Sequence, residues 1–297
     1  MSFHVRPHAW TASLPLCALP SSSIDVKTRR DAKRNNVLAA AANPPRPVQL
    51  AVFSADALEQ AVTAEEPVVL RSGWSEQRVQ QMREQFEQFA QSETETWQTQ
   101  GYGKQTIQGV WQNGWRLEHN LEAQAQSTGP LDALLANAGS RTAAGSAFRT
   151  LQALRDQAKE GADLREPCFV TGKTDRPSLA LLHYDDYLNR ALVLVGKKTF
   201  HMLPPTALDA DSGAGAFNER FDVTPANRPE LPWRVAMVEP GDVFVLPPQW
   251  WHHVESDAGG SVMINVWTAA TGSAAPSTGA TLGLELPAKS VAHGLEL

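Results

Sequence analysis

Short apolar stretches separated by polar turns dominate the second half of the chain, and they predict β-strands. These stretches cover residues 168–171, 179–184, 191–195, 198–203, 235–238, 243–246 and 262–268. The segments between them are rich in Gly, Pro and Asp, as in Glu239-Pro240-Gly241-Asp242. Short strands at this spacing are typical of an antiparallel sandwich or barrel. The longest separator, residues 206–233, is polar and Pro-rich, so it is predicted to be an excursion loop.

Between residues 46 and 165 the apolar positions recur mostly at helical spacing. The pattern predicts helices at 54–62, 75–91, 131–138 and 147–159, with Ser54 as the N-cap of the first. A compact apolar strand is predicted at 66–70, whereas residues 109–115 are aromatic and turn-rich. The chain is therefore predicted to be mainly β with flanking helices (α+β). Its predicted regions are an N-terminal helix and strand layer (46–165), a β core (166–270) and a loose tail (271–297).

The first 45 residues differ in composition from the rest. Residues 1–46 hold seven basic and two acidic side chains, together with many Ser and Thr residues. This composition predicts an organelle transit peptide, plastid rather than mitochondrial. The alternative is a disordered basic tail on a cytoplasmic or nuclear protein.

The composition of the whole chain narrows the class of protein. It has 297 residues, of which 42% are hydrophobic and 20% charged, as in a globular protein with one large or two small domains. Two cysteines do not make a disulfide framework, and no apolar run is long enough to span a membrane. The net charge of −6 leaves about −11 on the chain after residue 46. An acidic body argues against nucleic acid as a partner, because phosphate binding needs basic surface.

One pair of residues suggests a metal-binding site. His183 and Asp185 follow an apolar stretch, and side chains two apart on a strand point to the same side. A third ligand from a distant strand would complete two imidazoles and one carboxylate, a set that suits Fe(II) and leaves positions open for substrate and oxygen. Taken alone, His-x-Asp is weak, because chance can supply such a pair, and a surface turn with a solvated Asp is then the favoured interpretation.

Further motifs favour a metal site over a surface turn. They are His183-Tyr184-Asp185 with Asn189, Pro240-Gly241-Asp242, Trp250-Trp251-His252-His253-Val254-Glu255-Ser256 and Asn265-Val266-Trp267. With these motifs in this order, the chain from about residue 66 to 267 resembles the Jumonji-C or cupin-like Fe(II) and 2-oxoglutarate-dependent oxygenases. Its motifs are most similar to those of the asparaginyl hydroxylase that acts on the hypoxia-inducible factor. The resemblance implies a double-stranded β-helix (cupin, jelly-roll) core.

The resemblance also implies roles for seven residues. His183, Asp185 and His252 would be the metal ligands. Lys198 would bind the distal carboxylate of 2-oxoglutarate, although a solvated hairpin lysine is the alternative. Asn189, Asn265 and Trp267 would line the cosubstrate pocket, with core packing as the alternative for Trp267. The family register selects His252 over His253, which strand alternation does not decide because a Pro-Pro pair precedes them.

The chain departs from the family pattern in three places. Relatives often offer a hydroxyl to the cosubstrate shortly before the first histidine, but Ala180 and Leu181 stand there. Candidates to replace it are Thr171, Tyr102 and Tyr184. His201 occupies a position where the pattern prefers an apolar residue. The C-terminal helices that dimerise the asparaginyl hydroxylase are missing, so a monomer or weak dimer is expected.

The expected reaction follows from the resemblance. Fe(II) would use O2 to decarboxylate 2-oxoglutarate to succinate and CO2 and to hydroxylate a protein side chain. A Jumonji-C lysine demethylase and a small-molecule hydroxylase are enzymatic alternatives. A metal- or ligand-binding cupin without turnover is the alternative from another class. The substrate itself is not indicated, and neither nucleic acid nor membrane is expected as a partner.

Overall fold

The computed structural model describes residues 44–99, 103–114, 116–119, 131, 134–135, 139, 141–158, 164–174, 178–208 and 223–269. The predicted transit peptide and C-terminal tail lie outside these residues, and so does most of the helix predicted at 131–138. The described helices are α1 (Ala55–Thr63), α2 (Glu76–Ser92), α3 (Ile107–Asn113) and α4 (Ala143–Ala158).

Strands hold more of the described residues than helices do. They are β1 (Arg46–Pro47), β2 (Gln49–Val52), β3 (Val68–Arg71), β4 (Trp97–Thr99), β5 (Gly103–Gln105), β6 (Arg116–His119), β7 (Leu164–Arg165), β8 (Cys168–Thr171), β9 (Ser178–His183), β10 (Tyr187–Val195), β11 (Lys198–Leu203), β12 (Arg234–Val238), β13 (Val243–Leu246), β14 (Trp251–Ser256) and β15 (Ser261–Ala269).

The strands form two sheets that face each other. Sheet A has the order β1-β12-β11-β14-β9, and sheet B has the order β2-β3-β13-β10-β15-β8-β6-β4-β5, with β7 also on β15. Most neighbouring pairs are antiparallel, and β1 with β12 and β2 with β3 are parallel. This arrangement confirms the predicted mainly β fold with a jelly-roll core. Strands from residues 46–119 extend both sheets.

The side chains between the sheets form the inner core. Phe200 and Met202 from sheet A pack with Phe244 and Met263 from sheet B, and the rings of Phe200 and Phe244 lie 4.4 Å apart. Because strand side chains alternate, every second residue on these strands lines the same inner face. This alternation assigns the polar residues of each strand to the inner or the outer face.

The outer face of sheet B is covered by helices. Met82 and Phe86 of α2 and Leu151 and Leu154 of α4 are fully buried against Leu192 and its neighbours in one cluster. Both helices have the predicted apolar stripe, and Ser54 and Ser75 cap α1 and α2 by accepting backbone hydrogen bonds. None of the described helices is long and apolar enough to cross a membrane.

The stretch at 109–115 was interpreted as turn-rich, and for residues 109–113 that interpretation is wrong. Residues Ile107–Asn113 form α3, with Thr106 as the N-cap and Gly114 in the left-handed conformation at the C-cap. Its buried residues Val110 and Trp111 belong to the core between helices and sheet B. A seven-residue helix is too short for its periodicity to stand out in the sequence, so the glycines and asparagine dominated the interpretation.

The Pro-Gly-Asp segment between β12 and β13 joins the two sheets. Asp242 is 3% exposed and accepts hydrogen bonds from the Arg71 guanidinium and from the backbone N–H groups of Ser72 and Glu239. Gly241 has φ +90°, and a Cβ there would lie 2.5 Å from the Trp74 ring, so only glycine fits. The turn therefore fixes β13, which pairs with β10 beside the site described next.

Candidate metal centre

The site lies where two strands of sheet A end side by side. His183 at the end of β9 pairs directly with His252 of β14. Asp185 follows β9 by two residues, and its carbonyl accepts a 2.7 Å hydrogen bond from the Gln249 N–H group. Gln249 has φ +63°, an uncommon conformation for a residue with a side chain. This tight turn brings the start of β14 against Asp185.

Three side chains converge at this point. His183, Asp185 and His252 each offer one ligand atom, and these atoms all lie within 4.8 Å of one another. The His252 Nε2 atom is 3.6 Å from the Asp185 carboxylate, and the two imidazole centroids are 4.3 Å apart. Two imidazoles and one carboxylate are a donor set for Fe(II), Zn²⁺ or another divalent transition metal.

A hydrogen bond fixes the tautomer of His252 that can bind a metal. Its Nδ1 lies 2.9 Å from the Trp250 carbonyl oxygen, which only accepts, so Nδ1 carries the proton. The lone pair is then on Nε2, the atom that faces Asp185. Burial, reinforced by His183, lowers the pKa of His252 to about 4, so the ring is neutral at pH 7. A neutral imidazole fixed by a hydrogen bond through its other nitrogen is the form that binds metal.

His253 lies on the opposite face of β14. It pairs with His201 across the sheet, and the two rings stack 4.5 Å apart. The Trp233 ring meets His253 edge-on at 5.9 Å. This outer face also carries Trp251 and Leu203, which pack with Trp233 and the described parts of the excursion segment. The geometry therefore brings His252, and not its neighbour, to the two other donors.

The stacked histidines behind sheet A, His253 of β14 and His201 of β11, predict a pH-dependent stability of the metal-free protein. Burial lowers the pKa of His253 to about 3, and the pKa of His201 is also lowered by burial. The unfolded chain binds these protons near pH 6.5, whereas the folded chain does not, so folding is penalised in acid. The free energy of unfolding should be constant above about pH 6.5 and should fall as the pH drops toward 4.

Urea unfolding in the presence of a chelator at pH 7.5, 6 and 5 measures this dependence. The variant His253→Leu should show a slope in free energy against pH that is smaller by about one proton over the same range. An unchanged slope would mean that His253 is protonated in the folded protein.

Lys198 lies on the inner face at the far end of the same sheet. It is 4% exposed, alternates with the core residues Phe200 and Met202, and donates a 2.8 Å hydrogen bond from Nζ to Ser256 Oγ. Lys198 pairs with Ser256, four residues along β14 from His252. Four residues of strand correspond to about 13 Å. The Lys198 ammonium group thus lies at one end of the barrel, and the metal donors lie at the other.

The remaining predicted residues line sheet B opposite the donor set. The Asn265 amide N–H donates a 2.9 Å hydrogen bond to Asn189 Oδ1, and both side chains are buried. The Asn265 Oδ1 and Trp267 Nε1 atoms are buried without a partner, so each has hydrogen-bonding capacity for a bound molecule. Tyr187, which sequence reasoning missed, stacks on Trp267 with ring centroids 5.6 Å apart. Its position two residues before Asn189, the spacing of side chains on one face of a strand, was the available signal.

The three candidates for the hydroxyl that would contact the cosubstrate lie in different parts of the chain. Tyr102 lies outside the described residues. Tyr184 packs edge-on against Trp251, in the cluster outside sheet A. Thr171 is 2% exposed and alternates with Phe169, which packs against the inner core. Sequence reasoning overlooked Ser256, which the antiparallel pairing of β11 and β14 places beside Lys198.

Comparison with known proteins places this architecture in a family. The family model for the cupin-like domain matches residues 54–271, well over half of the chain. The chain belongs to the cupin-like domain family. Among solved structures, it is similar to the Lactobacillus farciminis oxalate decarboxylase formate complex, with 14% identity and a TM-score of 0.25. That match covers 37% of this cupin-like protein and 24% of the decarboxylase chain, and it has no bearing on activity.

Proposed function

We propose that this cupin-like protein is an Fe(II) and 2-oxoglutarate-dependent oxygenase that hydroxylates a protein side chain. The cupin-like family includes Jumonji-C oxygenases. The observation that carries the proposal is the combination of a His-Asp-His donor set with a buried lysine on the same inner face. A metal-binding cupin without a cosubstrate has no need for a cation buried about 13 Å along the strand from its donors.

The donor set and the lysine have separate tasks. His183, Asp185 and His252 would hold Fe(II) and leave its other positions open. When bound, Fe(II) supplies the reaction of 2-oxoglutarate and O2 that yields succinate, CO2 and one hydroxyl group on the substrate. Lys198 would neutralise the distal carboxylate, which fixes the orientation of the cosubstrate along the barrel.

Residues of sheet B would exclude water from the reacting end. The Tyr187–Trp267 stack and Phe169, whose ring lies 6.4 Å from that of Trp267, form an apolar wall opposite the donors. Such a wall limits side reactions with solvent. The Asn189–Asn265 pair, joined by its own hydrogen bond, adds polar amide groups to this wall. These residues would orient the cosubstrate, with the Asn265 Oδ1 and Trp267 Nε1 atoms available to bind.

The test measures succinate formation from 2-oxoglutarate with Fe(II), ascorbate and O2, and anaerobic binding of 2-oxoglutarate to the metal-loaded protein. We expect binding that depends on the metal and slow uncoupled succinate formation without the substrate. Metal binding with neither cosubstrate binding nor succinate would overturn the proposal in favour of a non-catalytic cupin. Mass spectrometry of proteins trapped by a His183→Ala variant would then search for a +16 Da product.

A further inference from the structure

A further group of metal-ligating side chains lies on the outer face of sheet A, behind the candidate metal centre. His253 and Glu255 are two residues apart on β14, so their side chains point to the same side of the sheet. His201 of β11 pairs directly with His253. Two imidazoles and one carboxylate therefore form a triangle on the side of β14 opposite to His252.

Three of the four ring nitrogens in this outer group have no partner. Both nitrogens of His253 and the Nδ1 atom of His201 are buried without a hydrogen bond. The fourth, His201 Nε2, lies 3.5 Å from the Glu255 carboxylate, which is long for a hydrogen bond. His253 is only 3% exposed, so bulk water does not satisfy its ring. Because buried polar atoms are normally paired, these nitrogens indicate a ligand that the described residues do not supply.

Rotation of the rings would bring the three donors to one ion. The two imidazoles stack with centroids 4.5 Å apart and an interplanar angle of 5°, so their lone pairs do not point to a common centre. The torsion that turns an imidazole about its Cβ–Cγ bond is soft. Two imidazole nitrogens on one tetrahedral Zn²⁺ lie about 3.4 Å apart, which is close to the present ring separation. The Glu255 side chain is 45% exposed, so an ion can enter from that side.

We infer that His201, His253 and Glu255 bind a second divalent transition-metal ion, for which Zn²⁺ is the best match. Zn²⁺ accepts two imidazoles, one carboxylate and a water molecule, whereas Mn(II) and Fe(II) bind such donors most weakly of the first-row ions. His201 stands where the family pattern prefers an apolar residue, so the third donor is a feature of this chain. The ion would tie β11 to β14 directly behind His252. This inference does not depend on the proposed function.

The experiment counts the Zn²⁺ ions bound by the metal-stripped full-length protein, by calorimetry and by elemental analysis after gel filtration. We expect two ions in the wild type. His183→Ala leaves the candidate metal centre with two donors, so this variant should keep one tightly bound ion. Adding His201→Leu or His253→Leu should weaken the remaining ion by about a hundredfold or more. Zn²⁺ should also raise the urea midpoint of the His183→Ala protein, and should no longer do so once His201→Leu is added.

Glu255→Gln and Glu239→Gln, each added to the His183→Ala protein, are a matched pair. Both glutamate side chains are 45% exposed, so neither change should unfold the protein. Only Glu255→Gln should weaken the remaining ion, by about tenfold or more. Equal losses in the two variants would reduce the effect to net charge and would overturn the inference. Zn²⁺ retained after both His201→Leu and His253→Leu would mean that it binds elsewhere, and would overturn it too. A His183→Ala protein that binds no Zn²⁺ would also overturn it and would leave the proposed function standing.

Discussion

His252→Ala is expected to weaken Mn(II) or Fe(II) binding by about a hundredfold or more, whereas His253→Ala should change it by less than about threefold. The two residues are adjacent, are both 3% exposed and differ in the face of β14 that they occupy. Only His252 directs a ring nitrogen toward Asp185, 3.6 Å away, while His253 stacks on His201 behind the sheet. Removing one of three donors leaves an incomplete set that holds the metal weakly.

Anaerobic calorimetry of the metal-stripped proteins measures this difference. Both variants remove a buried ring, so their urea unfolding curves must first show that each is folded under the binding conditions. If instead His253→Ala lost the metal and His252→Ala kept it, the register of β14 would be shifted by one residue. A loss in both variants, with native unfolding curves, would mean that His253 supports the site from behind.

Lys198→Ala is expected to weaken 2-oxoglutarate binding by roughly a hundredfold while metal binding stays within a few-fold of the wild-type value. A buried, hydrogen-bonded charge pair typically loses about 2–5 kcal/mol when one partner is removed. Lys198 is 4% exposed, so water does not easily replace its ammonium group. Pyruvate, which lacks the distal carboxylate, should bind the variant and the wild type equally well.

Lys197→Ala is the control for Lys198. Lys197 precedes it directly but points outward, with a side chain that is 55% exposed and forms a 3.1 Å ion pair with Glu239. Such an exposed pair contributes at most about 1 kcal/mol to stability and nothing to the pocket. Equal losses of 2-oxoglutarate affinity in the two variants would indicate that the loss comes from net charge alone, and would contradict the placement of Lys198 at the cosubstrate.

Strand boundaries show how far apolar patterning predicts this fold. The prediction starts at residue 191 for the strand that in fact begins at Tyr187, because Asn189 and Arg190 interrupt the apolar run. Both are buried for different reasons. Asn189 lies on the inner face and accepts a hydrogen bond from Asn265, whereas Arg190 lies on the outer face and donates to Thr268. A sheet that encloses a polar site breaks the rule that buried strands are apolar.

Apolar patterning did not predict the strand that carries His252. The preceding Pro247-Pro248 and the polar His252, His253 and Glu255 hide its extended conformation. Its existence depends on pairing with β11 and β9, which lie about 50 and 70 residues earlier in the chain. Local propensity cannot report such pairing, because the partner strands supply the hydrogen bonds.

The sequence by itself determined the kind of fold and the chemical nature of the site. Its alternation of short strands and turns predicted a mainly β protein, and its motifs included His183, Asp185 and a His-His pair in family order. The family resemblance had selected His252 over His253, but strand alternation alone could not. The inner and outer faces of β14 are defined only by its pairing with β9 and β11, so the tertiary structure decided which histidine meets Asp185. It also brought His201 of β11 beside His253. Residues on separate strands have no sequence signal in common, since the sheet pairing alone makes them neighbours.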